Sequence, residues 1–306
     1  MDKSKVSIIM PCYNGADTIE RAIRGILTQT YRPIELILVN DGSTDSTEAI
    51  IFSLTQEIQN AKIDFRYFPQ ANTGLGGAIN SGLKHVTGGY LAWADADDEL
   101  LPDSVRVRVD FLKNHPEYGS VSSNAILAED ANWSQSLGLL TDNVKINSDE
   151  NQFIHMLLGR SLFCPGCHLV RTEVFRAANR GMDIYPARHG QNWQMLLPVY
   201  YCSKHAFINQ PLYKYRVNAD NMSAEIDRMS LKQLYKRREE YIQIVRHTLS
   251  RIHGMPPAEC RKYFNMFKKH IYEINLDSAL EEQKRIDILR WKIAVKYMIA
   301  LTTHLF

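Results

Sequence analysis

Short apolar runs alternate with helix-period stretches over the first hundred residues, and this alternation limits the chain to few folds. Four short runs rich in residues that favour strands occupy positions 6–10, 35–40, 63–68 and 90–94. The stretches between them, 17–29, 46–59 and 76–85, have the period of a helix. Strands separated by helices of this length predict βαβ units and a mostly parallel sheet flanked by helices. The sequence therefore predicts an α/β, Rossmann-like domain.

The pattern changes after residue 100. A helix is predicted over 102–114, followed by short strands at 119–127, 167–171 and 205–208 with longer loops between them. From residue 227 onward the chain is predicted to be helical, apart from a break at Gly254. We predict a division into 1–100, 101–225 and a helical C-terminal extension over 226–306.

Charge is balanced overall but uneven along the chain. Lys and Arg number 36 against 34 Asp and Glu, a net charge of +2 that disfavours nucleic acid as a partner. Residues 226–306 carry +7, and the first 225 residues carry −5. We expect the acidic part to perform chemistry with a metal, and the basic part to contact an anionic surface.

The five cysteines are few, odd in number and scattered, which indicates reduced thiols and a cytoplasmic protein. The pair Cys164 and Cys167 lacks the second pair that a zinc site would need. The first residues lack the apolar stretch of a signal peptide, and no apolar run reaches 18 residues. The expectation is a cytoplasmic protein, with attachment to the inner face of the membrane as an extension of it.

Four acids in five positions follow the apolar run at 90–94: Asp95, Asp97, Asp98 and Glu99. Ligands of open α/β sheets bind beyond the carboxyl ends of the strands, so these acids should face the binding crevice. Clustered carboxylates repel one another unless a divalent cation neutralises them, and Mg²⁺ or Mn²⁺ prefers oxygen ligands. The alternative is a solvated acidic turn that caps the next helix.

Three further motifs accompany this turn in a fixed order. The four are VSIIMPCYN at 6–14, LVNDGSTD at 38–45, NTGLGGAIN at 72–80 and GGYLAWADADD at 88–98. Together they resemble the nucleotide-sugar-binding domain of the inverting GT-A glycosyltransferases of family 2. The resemblance is close over the first hundred residues and looser over 160–225. Ile79 departs from it, because many relatives carry arginine there.

The resemblance implies roles for the matching positions. Residues 1–100 would form the nucleotide-sugar-binding half and 101–225 the acceptor-binding half of one GT-A domain. Asp41 would accept the N3–H of a uracil base, although turn and helix-cap chemistry is the alternative for Asp41 and Asp45. Asp97 would ligate Mn²⁺ or Mg²⁺. The remaining donor contacts are Pro11 and Tyr13 at the base, Asn72 in its motif, Asp95 at the ribose, Asp98 near the donor sugar and Arg216 at a phosphate.

The general base is where the chain departs from the family. Relatives often place a Glu-Asp pair at the start of a helix in the acceptor half, whereas this chain has Gln191 and Asn192 there. An amide cannot take a proton at neutral pH, so Asn192 could only orient the acceptor hydroxyl. We expect Asp183, and after it His189, to act as the base, with His168 as a further alternative.

Near the C-terminus, two apolar stripes share one predicted helix. One stripe should pack on the protein, and the other, with Trp291, should meet a membrane interface or a second subunit in a homodimer. The first comprises Ile286, Leu289, Ile293, Tyr297 and Ala300, the second Ile288, Trp291, Val295 and Met298, and the cationic stripe Arg285, Lys292 and Lys296.

The predicted activity is transfer of a hexosyl or N-acetylhexosaminyl group from a UDP-sugar, with inversion and a divalent metal. The acceptor would be a hydroxyl of a surface polysaccharide or a lipid-linked glycan. A non-catalytic nucleotide-sugar-binding subunit is the alternative that Gln191 and Asn192 favour. A sugar nucleotidyltransferase would need a Gly-rich, Arg- or Lys-bearing loop after the first strand, which residues 11–15 do not supply.

Overall fold

The computed structural model describes residues 2–142, 149, 151–218, 225–226, 228–281 and 288–302. The chain divides into two compact units, Met1–Asn218 and Ala219–Phe306. The first contains the sheet, and the described part of the second is helical.

Among the described residues of the first unit, eight strands form one sheet, in the order β3-β2-β1-β4-β7-β6-β8-β5. Pairings among β1 to β4 and between β6 and β8 are parallel, and those that β5 and β7 make are antiparallel. The strands are β1 Asp2–Cys12, β2 Ile34–Asn40, β3 Asp64–Pro69, β4 Gly88–Trp93, β5 Glu99–Leu100, β6 Tyr118–Ala128, β7 His168–Arg171 and β8 Lys204–Arg216.

Helices flank this sheet, which confirms the predicted α/β class with a mostly parallel sheet. They are α1 Ile19–Leu27, α2 Thr47–Ser53, α3 Thr55–Asn60, α4 Gly74–Leu83, α5 Ser104–Asn114, α6 Phe153–Leu157, α7 Thr172–Ala178 and α8 Gln191–Cys202.

The centre of the sheet explains why its strands read as continuous apolar runs. Every residue of β2 is buried, because parallel strands are covered on both faces. The register pairs Cys12 with Asn40 and Ile9 with Trp93. The first, second and fourth strands therefore end at the same edge of the sheet, which we call the carboxyl edge. The loops that follow these strands meet there.

Two predicted elements differ from the structure. The helix predicted over 46–59 is two helices, which meet at Leu54. The strand predicted over 205–208 continues to Arg216, because β8 pairs with β6 along most of its length and with β5 near its end. Arg216, which the resemblance assigned to a phosphate contact, is therefore the last residue of this strand.

The described part of the second unit contains three long helices, α9 Leu231–Arg251, α10 Pro257–Glu281 and α11 Ile288–Thr302. Ser230 and Gln233 form a capping box at the start of α9, and Gly254 lies in the predicted break. Tyr297 is buried against Tyr272, and its hydroxyl donates to Glu239 at 3.1 Å.

The other face of α11 is exposed, as expected for the second stripe. Trp291 is 60% exposed, and Met298 and Ile299 are also exposed. Arg285 and Ile286 lie outside the described residues, as do the side chains of Ile288, Leu289 and Ala300. Within the described chain, no helix combines the length and apolarity that crossing a bilayer requires.

Two histidines are fully enclosed in the first unit. His168 lies 2.8 Å from the Cys164 carbonyl oxygen and 2.9 Å from the Tyr200 hydroxyl. His205 lies 2.9 Å from the hydroxyls of both Ser120 and Ser122. Burial lowers the pKa of His168 to about 4 and that of His205 well below its usual value. His168 is therefore part of the core.

This burial predicts a pH-dependent effect of His168→Gln on stability. Above the unfolded-state pKa of about 6.5 the histidine is neutral in both states; as pH falls towards 4, only the unfolded chain takes up the proton. The stability lost on substitution should therefore be smaller at pH 5 than at pH 7.5 by about 2 kcal/mol. Urea unfolding at both pH values measures the difference. Exposed His115→Gln is the control, and an equal loss at both pH values would contradict the assignment.

Candidate active site

The acidic turn at residues 95–98 follows β4 and is fastened to the end of β8. The Ala94 amide donates to the Ile9 carbonyl oxygen at 3.0 Å and extends the β1–β4 ladder to the turn. The Asp95 amide donates to the Tyr213 hydroxyl at 3.3 Å, and the Arg216 amide donates to Asp98 Oδ1 at 2.7 Å. Residues more than a hundred positions apart therefore fix both ends of the turn.

Burial makes this turn electrostatically unfavourable. Asp98 is 3% exposed, whereas Asp95 and Asp97 are half-buried. Burial, and then the charge of Asp97, raise the pKa of Asp95 to about 7. Burial, followed by the charges of Asp95 and Asp97, raises the pKa of Asp98 well above its usual value. Burial also raises the pKa of Asp97, although the Arg216 guanidinium opposes it.

Tyr213 is enclosed between the acidic turn and the Cys164–Cys167 turn. A Cβ added to Gly166 would lie 2.1 Å from the Tyr213 ring, so only glycine fits against it. The Gly166 carbonyl oxygen accepts from the buried Arg108 at 3.0 Å. Cys164 and Cys167 are buried free thiols with their sulfurs 3.2 Å apart. The pair packs beneath the site.

Two arginines approach the acidic turn. Arg21 on α1 donates to the Asp97 carbonyl oxygen at 2.9 Å and to Asp130 Oδ1 at 3.1 Å. Arg216 donates from Nε to Asp130 Oδ2 at 2.5 Å, and its Nη1 lies 3.7 Å from Asp97 Oδ2. The sequence indicated Arg216 but neither Arg21 nor Asp130, because neither lies in a recognisable motif.

Asp41 lies at the carboxyl edge, beyond the end of β2, and is 3% exposed. Its Oδ1 accepts from the Thr73 amide at 2.9 Å, the Thr73 hydroxyl at 3.1 Å and Gln70 Nε2 at 2.7 Å. Asp45 instead accepts from the Thr47 amide at 3.0 Å, which is turn chemistry at the start of α2. The two aspartates therefore have different surroundings, and Asp41 fixes the start of α4.

The other positions assigned to the donor lie at the same edge. Tyr13 follows β1 and is 54% exposed, and Pro11 near the end of β1 is half-buried. Asn72 is exposed and accepts from the Gly74 amide at 3.2 Å. Gly42 has φ +76°, and a Cβ there would lie 2.8 Å from the Asn72 nitrogen. The fold thus brings together loops that follow three neighbouring strands.

Residues 183–190 run along α4 towards its N-terminus. Asn80 donates from Nδ2 to the Ile184 carbonyl oxygen at 2.8 Å and accepts from the Ile184 amide at 2.7 Å. Nearer the start of α4, the Gly76 amide donates to the Ala187 carbonyl oxygen at 3.3 Å. The start of α4 lies at the carboxyl edge, so the chain comes nearer to that edge as it continues from Ile184 to Ala187. His189 comes after this segment, and exposed Asp183 comes before it.

The start of α8 carries the two amides that replace the expected acids. Gln191 donates from Nε2 to the Ala187 carbonyl oxygen at 2.6 Å, which ties it to the preceding loop. Asn192 Oδ1 is buried, and no described residue gives it a hydrogen bond. Trp193 donates from Nε1 to the Met156 carbonyl oxygen at 2.9 Å. The helix start is thus fixed on both sides of Asn192.

Among the described residues, no three His, Cys, Asp or Glu side chains are arranged as a ready-made metal site. A divalent cation at the acidic turn would therefore need oxygens from a bound ligand. Mg²⁺ commonly binds in this way, through one or two carboxylates and substrate phosphates.

The sequence identifies the family of this chain. The model of glycosyl transferase family 2 matches residues 7–177, which include the second half of β1, all of β2 to β4 and the acidic turn. This match covers more than half of the chain, and the chain belongs to glycosyl transferase family 2.

Relatives support the same conclusion. An uncharacterized glycosyltransferase of Rickettsia bellii is 31% identical over 224 residues, 72% of this chain and 31% of that protein. Glycosyltransferase GlyA of Streptococcus pneumoniae is 28% identical over 235 residues, again 72% and 31% of the two chains. The chain spans about a third of the length of these two relatives.

Solved structures share the fold. TarS residues 1–349 of S. aureus in complex with UDP-GlcNAc has a TM-score of 0.69 at 14% identity, covering 99% of this chain and 82% of that one. The mannosyltransferase PcManGT of Pyrobaculum calidifontis, in complex with GDP-Man and Mn²⁺, has a TM-score of 0.57 at 15% identity, covering 98% and 81%. At these identities the likeness concerns the fold alone.

Proposed function

We propose that this chain transfers a sugar from a UDP-sugar, with inversion and a divalent cation, to a glycan hydroxyl. The acceptor would belong to a surface polysaccharide or a lipid-linked glycan. The observation that carries the proposal is the acidic turn, where Asp97 and Asp98 contact Arg216 at the carboxyl edge of the sheet and Asp95 lies in the same turn. Carboxylates and a guanidinium so placed suit a cation and a diphosphate together.

The residues at the turn fit Mg²⁺ or Mn²⁺. Burial and mutual repulsion raise the pKa values of Asp95 and Asp98, so a cation would relieve an existing cost. The Asp97 side chain is 39% exposed and can reach a bound ligand. When bound, the cation supplies positive charge against the leaving diphosphate. The complex of PcManGT with Mn²⁺ supports this proposal by analogy of fold.

The chain's own residues would bind and orient the donor. Exposed Tyr13 can stack on the base, and Asp41 can accept the uracil N3–H while its Oδ1 holds Thr73. Asp95 would contact the ribose and Asn72 would lie beside the donor. Arg216 would donate to a phosphate oxygen, and Asp98 holds its backbone in place.

The first test is UDP release over a panel of UDP-sugars, with calorimetry of UDP binding in Mn²⁺. Asp97→Asn and excess chelator should each abolish turnover and weaken UDP binding, because the carboxylate that would hold the cation is lost or the cation is removed. Exposed Asp110→Asn on α5 is the matched control. Full turnover in chelator would exclude the metal, and UDP binding without turnover on any donor would favour a non-catalytic subunit.

Asp41→Asn tests the base contact. The amide can keep its oxygen on Thr73 but presents N–H where a carboxylate oxygen would meet the uracil N3–H. UDP binding should weaken by about 1–3 kcal/mol, with an unchanged melting temperature. Unchanged affinity for UDP would remove Asp41 from the base pocket.

The proton of the acceptor needs a base, and the loop at 183–190 offers two. The loop runs towards the carboxyl edge of the sheet. This direction favours His189, which lies nearer than Asp183 to the end of the loop at that edge. Asn192, at the start of α8, would orient the acceptor hydroxyl through its unpaired Oδ1.

Alanine at His189 and at Asp183 separates the candidates. Loss of the base should lower kcat by about 10²–10⁴-fold at saturating donor and leave UDP affinity unchanged. Asn192→Asp should raise the rate if the site has room for the usual carboxylate. A loss below ~10-fold at both positions would reject both residues.

The exposed face of α11 supports peripheral attachment to the cytoplasmic face of a membrane. Trp291, Met298 and Ile299 are exposed there, and Lys292 and Lys296 on the same helix are exposed as well. Aromatic and aliphatic side chains flanked by lysines are typical of a helix that lies in an anionic interface.

Vesicle sedimentation tests this attachment. The protein should bind phosphatidylglycerol-containing vesicles at low salt more strongly than phosphatidylcholine vesicles, and Trp291→Ser should reduce binding. The control is Phe52→Ser, an exposed aromatic of α2 in the other unit. If wild type ignores the anionic vesicles but sedimentation equilibrium shows a dimer that Trp291→Ser dissociates, the face is a contact between two copies.

A further inference from the structure

Asp130 lies between the two arginines of the site and links them. Its Oδ1 accepts from Arg21 at 3.1 Å and its Oδ2 from Arg216 Nε at 2.5 Å, with a second, closer contact from Arg216 Nη2. Both arginines also face Asp97, one at its carbonyl oxygen and one at its carboxylate. One carboxylate thus engages two guanidinium groups, the arrangement in which arginines bind phosphate.

The segment that carries Asp130 is anchored independently of it. We call residues 129–139 the Trp133 loop. Trp133 donates from Nε1 to Glu99 Oε2 at 2.6 Å, and its carbonyl oxygen accepts from Lys214 at 3.0 Å. The Arg21 guanidinium lies 3.6 Å from the centre of the Trp133 ring. Because these contacts hold the loop, the Asp130 side chain can leave the arginines by rotation alone.

We propose that Asp130 is an internal competitor of the donor diphosphate: it occupies Arg21 and Arg216 in the donor-free protein and yields them to the phosphates on binding. This inference rests on the proposed use of a nucleoside diphosphate donor and adds Arg21 to its phosphate contacts. Asp130 thereby lowers donor affinity and, after transfer, returns to the arginines as the diphosphate leaves.

Charge and exposure support the exchange. Although burial opposes it, hydrogen bonds from Arg216 and Arg21 lower the pKa of Asp130, so it is ionised wherever the arginines are engaged. Its side chain is 39% exposed, so water can hydrate the carboxylate when its contacts with the arginines break. A diphosphate carries more charge than one carboxylate, and its oxygens can accept hydrogen bonds from both arginines at once, which favours replacement of Asp130.

The test compares Asp130→Asn with wild type in calorimetric titrations with UDP and, separately, with inorganic pyrophosphate, both in Mg²⁺. Affinity for both probes should rise about 3- to 10-fold, because the neutral amide competes less well for the arginines. In a background that lacks both arginines, Arg21→Ala with Arg216→Ala, the same substitution should change affinity less than about twofold.

Asp64→Asn is the matched control. Asp64 also lies between two cations, Lys5 at 3.0 Å and Arg66 at 3.3 Å, with a side chain 41% exposed, and it belongs to β3 at the opposite edge of the sheet. Its substitution should leave both affinities unchanged. Thermal unfolding of every variant, and Asp130→Ser as a second substitution, separate altered binding from altered folding.

Weaker binding of UDP by folded Asp130→Asn or Asp130→Ser would overturn the inference, because Asp130 would then position the arginines rather than compete for them. Unchanged affinity for both probes would overturn it as well. If wild type binds pyrophosphate but not UDP, the proposal of a UDP-sugar donor is wrong. Tighter binding of pyrophosphate by Asp130→Asn would in that case still support the exchange of Asp130 for phosphate. If no variant binds either probe, both proposals fail.

Discussion

Two hydrogen bonds from the end of β8 hold the acidic turn, and the geometry of the site depends on them. The Tyr213 hydroxyl accepts from the Asp95 amide, and Asp98 accepts from the Arg216 amide. Three carboxylates in four residues would otherwise separate, because burial and repulsion disfavour their charges. The last long strand of the sheet therefore keeps the carboxylates at the edge where β1, β2 and β4 end.

The first four strands could be predicted because their signal is local. Each is a short apolar run between turn residues, and parallel strands buried on both faces need only such runs. Most of β8 could not be predicted, because Lys204–Arg216 includes exposed polar positions and Pro211. Pairing with β6, about 85 residues earlier, decides its length.

The candidate site divides in the same way. The acidic turn and Asp41 could be identified because motif residues adjoin the strands that position them. Arg21 and Asp130 could not, since they act across 76 and 109 positions of sequence. Nothing in their local sequence distinguishes them from a surface arginine or a loop aspartate. Such residues become visible only in the structure, where contacts between distant segments place them against the residues of the motifs.

The contact between Gly166 and Tyr213 extends the site into the core. A methyl group at 166 would overlap the Tyr213 ring, which is 1% exposed and has no space to move into. The hydroxyl of the same ring accepts from the Asp95 amide. An alanine at 166 would therefore displace Tyr213, and the displacement would move the acidic turn and its carboxylates. Gly166, a core position, would thus tolerate substitution as poorly as the aspartates of the turn. In random mutagenesis scored by turnover, inactive variants should carry substitutions at Gly166 as well as at these aspartates.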